Sequence, residues 1–156
     1  MIKLCFVGDI FPGGVFSVEK GLSREVISLF NEYDLRIANL ESSLYNGKSE
    51  CKIKMSDPKL GNLVFSPEES IQVLKELKID VVSLANNHVC DCGYDGLTRT
   101  IELLEENNIA HFGAGRTEDE ARTPAIVNIK GKSFCFLGYF PPEWEAPYPP
   151  HGSVGG

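Results

Sequence analysis

Three short clusters of side chains in this sequence could do chemistry: Asp9, the pair Asn39 and Glu41, and the run Asn86-Asn87-His88. Carboxylates and amide oxygens ligate hard or borderline divalent cations, and an imidazole can ligate a metal or move a proton. Each cluster follows a short apolar stretch: Lys3–Val7, Leu35–Ala38 and the run from Val81 to Ala85. Val and Leu on both faces mark a buried parallel strand, and α/β proteins place their sites at the carboxyl ends of such strands. If the three strands are parallel neighbours, the three clusters converge on one edge of the sheet. Taken singly, each has an ordinary alternative. Asp9 could cap a turn, Glu41 could be a solvated carboxylate, Asn86 and Asn87 could be turn chemistry, and His88 a surface imidazole. Recurrence at three strand ends brings a site and a set of turns to equal weight.

The elements that must position these clusters follow from periodicity. Apolar residues from Val18 to Tyr33 recur at helical spacing. Ser66-Pro67-Glu68-Glu69 reads as a helix start with Ser66 as N-cap, running to about Lys78. A second helix is expected over Gly93–Asn107, and a strand over Ile109–Phe112. Thr117-Glu118-Asp119-Glu120 has the capping-box pattern and opens a short helix. Ala125–Lys130 and Ser133–Tyr139 flank Gly131-Lys132 as a β-hairpin. Strands alternating with helices, then a hairpin, predict an α/β domain with a mainly parallel sheet. Residues 1–140 form that domain. Ser42–Leu63 is irregular, and a segment of that length in a compact domain is often functional. Residues 141–156 read as a flexible Pro/Gly-rich tail.

Composition narrows the function classes. A net charge of −7 and an isoelectric point near 5.0 argue against nucleic acid as a partner, which needs clustered Lys and Arg. No apolar run approaches the roughly 20 residues of a membrane span. The first residues pass straight into a strand rather than a leader, so a cytoplasmic location is expected. Five cysteines in such a chain predict thiols rather than a disulfide framework. Cys90 and Cys92 lie too close together for an ordinary paired zinc site.

Four stretches occur in order: Gly8-Asp9-Ile10-Phe11-Pro12-Gly13-Gly14, Ala38-Asn39-Leu40-Glu41-Ser42, Asp80 to His88, and Phe112-Gly113-Ala114-Gly115. Together they resemble the CapA family of bacterial capsule (poly-γ-glutamate) synthesis proteins. Asp91, Gly93, Gly96-Leu97, Glu120-Ala121-Arg122 and Phe136 to Tyr139 extend the likeness over nearly all of residues 1–139. The resemblance implies a calcineurin-like metallophosphoesterase fold, a layered sandwich of two sheets flanked by helices. It implies Asp9, Glu41 and Asn87 as metal ligands, with Glu41 in the place of the bridging acid. His88 is implied as the histidine assisting phosphoryl chemistry, with Asn39 and Asn86 in support. The implied cofactors are divalent ions, Mn, Fe, Zn or Mg, and the substrate a small molecule or a polymer. Phe11 departs from the wider pattern, which has a histidine there.

The further histidines that the second half of such proteins supplies have no counterpart here. His111 falls in a structural strand and His151 in the tail. The expectation is an amino-terminal portion with an incomplete sandwich, open to self-association through its uncovered sheet. Its function is a metal-dependent hydrolase site in capsule or cell-envelope polymer synthesis. The alternatives are a non-catalytic accessory or binding protein, or an inactive truncated fragment.

Overall fold

The computed structural model describes residues 1–13, 21–46 and 64–140. The irregular segment expected over residues 42–63 is described only to residue 46, and it begins with a short strand at Ser43–Leu44; its remainder, His151 and the tail 141–156 lie outside the described residues. In chain order the elements are β1 (Leu4–Ile10), α1 (Arg24–Phe30), β2 (Leu35–Leu40), β3 (Ser43–Leu44) and β4 (Phe65–Ser66). A 3-10 turn (Glu68–Ser70) leads into α2 (Ile71–Glu76), then β5 (Val81–Ser83), α3 (Gly93–Glu106) and β6 (Ala110–Phe112). The last elements are α4 (Glu118–Arg122), β7 (Ala125–Ile129) and β8 (Lys132–Phe136).

Four strands form one parallel sheet in the order β1-β2-β5-β6. The architecture is thus α/β, in keeping with the metallophosphoesterase-like layering. On one face Leu40, Val82 and Leu84 pack with Leu74 and Leu77 around α2 and with Leu97, Ile101 and Leu104 of α3. On the other, Leu35, Ile37, Val81 and Phe112 meet the inward side chains of the hairpin, Ala125, Val127, Ile129, Phe134 and Phe136. The Phe112 and Phe136 rings stack there at 5.9 Å. Burial of apolar area on both faces is the main stabilising term of such a sheet.

Helix ends decide where the strands begin. Both α2 and α3 stop on a residue in left-handed conformation, Lys78 (φ 53°) and Asn108 (φ 56°). One residue later a backbone N–H reaches back to the helix: Ile79 to the Leu74 carbonyl and Ile109 to the Leu104 carbonyl, each 2.9 Å. This six-residue closure turns the chain sharply into β5 and β6. The hairpin turn carries φ 49° at Lys130 and 72° at Gly131, as a two-residue loop between twisted strands requires.

Several boundaries differ from the sequence reading. The described part of the first helix begins only at Arg24, because Gly21 adopts φ 65° and Ser23 caps the first turn through Val26 N–H. Ser66 is not a helix cap. It closes β4 with its hydroxyl buried 2.8 Å from the Ser42 hydroxyl, and the 3-10 turn that follows has Pro67 at its start and no side-chain cap. At α4 the expected cap is present, with Thr117 Oγ1 accepting from Glu120 N–H. The expectation of thiols throughout is corrected at Cys92, which is disulfide-bonded. Spacing along the chain does not report which sulfurs meet in space.

Candidate functional site

The three polar clusters do meet. Asp9 pairs in register with Asn39 across β1 and β2, and Asn39 with Ser83 across β2 and β5. All lie toward the carboxyl ends of parallel strands. Asp9 owes its place to an irregularity: between Phe6 and Asp9 the strand carries one more residue than its partner. That bulge puts Asp9, instead of Gly8, opposite Asn39 and re-aims the carboxylate. Asp9 thus lies within β1, two residues past the strand end expected from sequence.

Asn39 links the two acids. Its amide nitrogen donates to Asp9 Oδ1 at 2.8 Å and also to Glu41 Oε2. One neutral amide thereby supplies both protons that two neighbouring carboxylates need to lie side by side. The Asn39 carbonyl oxygen accepts from Asn86 Nδ2 at 3.0 Å. Asn86 is buried. It also donates to the Leu40 carbonyl at 2.9 Å and accepts the His88 N–H through Oδ1 at 3.0 Å. Asn86 therefore stitches the end of β2 to the turn after β5.

Asn87 and His88 stand beside the acids in the turn that leads to α3. Asn87 Nδ2 lies 3.0 Å from His88 Nε2, and that ring nitrogen is 3.8 Å from Glu41 Oε1. His88 Nδ1 lies 2.8 Å from Asp91 Oδ2. Asp91 is buried and accepts the Val64 N–H at 2.6 Å as well. The sequence reading passed over Asp91 as a partner. The signal was there: in a tight turn a residue three positions on returns to the same side. The turn is braced from below by Ser43, whose hydroxyl donates to the Val89 carbonyl at 2.8 Å.

Asp9, Asn39, Glu41, Asn87 and His88 thus form one partly exposed polar cluster on the sheet edge. Cys90 and Cys92, which follow His88 in the chain, are both buried. His111 is half-buried on β6, away from the cluster. Among the described residues no three of His, Cys, Asp and Glu converge as metal ligands. The side-chain oxygens of Asp9, Glu41 and Asn87 are of the type that could supply part of the shell of a divalent ion.

The sequence matches the family described as bacterial capsule synthesis protein PGA_cap over residues 3–151. It is 26% identical over 146 residues to the PGA biosynthesis protein CapA of Bacillus subtilis, covering 89% of this chain and 37% of that protein. The capsule biosynthesis protein CapA of Bacillus anthracis is 32% identical over 72 residues, 46% of this chain and 18% of its own length. A probable polyglutamine synthesis accessory protein of Mycobacterium tuberculosis is 39% identical over 70 residues, 45% of this chain and 18% of its own. The chain spans well under half the length of these curated relatives.

Proposed function

The chain belongs to the bacterial capsule synthesis protein family, and we propose that it carries one side of a metal-dependent, phosphoesterase-type hydrolase site. The work of that site is the synthesis of capsule, poly-γ-glutamate or a related envelope polymer. The observation that carries this reading is the pair of carboxylates, Asp9 and Glu41, held side by side by one Asn39 amide. Hydrogen bonding that keeps two like charges together is a cost a purely structural sheet edge would avoid. Asp9, Glu41 and Asn87 would hold the ion through oxygen, and such an ion supplies a more acidic bound water and charge stabilisation. His88, next to Glu41, can accept a proton at Nε2 and pass it on. Asn39 and Asn86 keep the ligands in place.

The test is calorimetric titration of the chain with Mn and Zn, beside Asp9→Asn and Glu41→Gln. Binding by the parent and its loss in both variants is the expected result; equal binding by all three would end the metal reading. A non-catalytic accessory role is the second reading, favoured by the shortness of the ligand set. Under it, Glu41→Ala leaves capture of a synthesis partner unchanged.

A further inference from the structure

We propose that Asp91 is a positioning residue that, through His88, fixes which way the Asn87 amide faces. An ionised carboxylate only accepts hydrogen bonds. Asp91 Oδ2 takes the Val64 N–H at 2.6 Å and also lies 2.8 Å from His88 Nδ1. Nδ1 must therefore carry a proton. A neutral ring then has its lone pair at Nε2, and the atom 3.0 Å from Nε2 is Asn87 Nδ2, a donor. The direction of every bond is set in turn: Asp91 accepts from His88, and His88 accepts from Asn87. Asn87 Oδ1 is left turned away from the ring, free for a cation or a substrate donor.

The opposite tautomer would reverse the order. Nε2–H would need an acceptor, either Glu41 Oε1, 3.8 Å away, or the Asn87 oxygen turned inward and withdrawn from the cluster. The backbone holds the geometry at each step. His88 N–H is bound by Asn86 Oδ1 at 3.0 Å, and Asp91 N–H reaches the His88 carbonyl at 3.2 Å. Asp91 is thus not a spare carboxylate of the core but the residue that orders the imidazole and, behind it, the amide.

The value of this order to metal binding rests on the function proposed above, but the order itself does not, and the experiment separates them. Long-range proton–nitrogen NMR of the nitrogen-15-labelled chain at pH 8 reads the ring directly. His88 protonated at Nδ1 and bare at Nε2 is expected; a neutral ring protonated at Nε2 overturns the proposal. Asp91→Asn, which can present either oxygen or nitrogen to the ring, is expected to mix the two tautomers. It should also weaken Mn binding by about tenfold or more, the usual cost of losing a residue that orients a ligand. If the parent binds Mn and Asp91→Asn binds it equally well, the proposal fails. If the parent binds no Mn, the metal reading fails alone, and the tautomer in the parent still decides. Should the variant not fold, the parent spectrum decides by itself.

Discussion

At the scale of single residues, Asn39 holds the cluster together. It is the donor between Asp9 and Glu41, so removing it leaves two carboxylates facing each other without a proton to share. Asn39→Ala should cost about 1–3 kcal/mol, the range for loss of a hydrogen bond to charged groups, measured by urea unfolding. A divalent cation can replace the amide, so Mn should stabilise the variant more than the parent; an equal gain in both would contradict the site. His111 makes a separate prediction. Its Nδ1 is buried without a partner among the described residues. Burial pushes its pKa below the ordinary value, against the pull of Glu105 and Glu120 and with the help of Arg116. The unfolded chain therefore binds this proton more readily than the native one. The contribution to stability is complete above the ordinary histidine pKa, about 6.5, and is lost as pH falls below it. Between pH 7 and 5 the melting temperature should fall less for His111→Phe than for the parent. The types of the cluster residues were legible from sequence. The strand bulge that aims Asp9 was not, because a register shift depends on the partner strand.

At the scale of elements, α3 is the piece that fixes the floor of the site. Thr100, fully buried on this helix, accepts the Leu44 N–H at 2.8 Å and donates to the Gly96 carbonyl at 2.7 Å. It ties the helix to β3, whose Ser43 braces the His88 turn. Gly96 is required by the first turn of the helix itself, since a Cβ there would lie 2.3 Å from the Cys92 Cβ, whereas Ser43 of β3 would be at an ordinary 3.8 Å. Thr100→Val keeps the shape and removes the acceptor, leaving the Leu44 N–H buried without its partner. The expected loss is about 1–3 kcal/mol, with faster hydrogen exchange at the Leu44 amide; unchanged exchange would refute the tie. The helix itself was readable from its apolar spacing, and so was the Thr117 cap. Ser66 shows where local signals stop. Ser-Pro-Glu-Glu is a fair helix start in isolation, yet the hydroxyl is buried against that of Ser42, far away in sequence, and a 3-10 turn begins the helix instead. Caps can be read from sequence only where no tertiary partner competes for the capping atom.

At the scale of the whole molecule, the two layers are unequal. Among the described residues, helices cover one face of the parallel sheet and a single hairpin covers the other. Phe6, on β1, is 67% exposed, and Ile126, Leu137 and Tyr139 are exposed as well. Among the described elements β1 pairs only with β2, and β8 only with β7, so each has a row of unpaired backbone groups. An exposed aromatic residue on an edge strand invites another chain, because pairing satisfies the edge and buries the ring in one step. The occupant expected for the isolated chain is a second copy, since both copies offer the same edge and the same apolar side chains. Sedimentation velocity should therefore show mass rising with concentration over the micromolar range. Phe6→Ser should shift the chain toward monomer without a large loss of stability, because little of that side chain is buried to begin with. A parent that stays monomeric across the range, and unfolds in one concentration-independent transition, would show that the edge is protected without a partner.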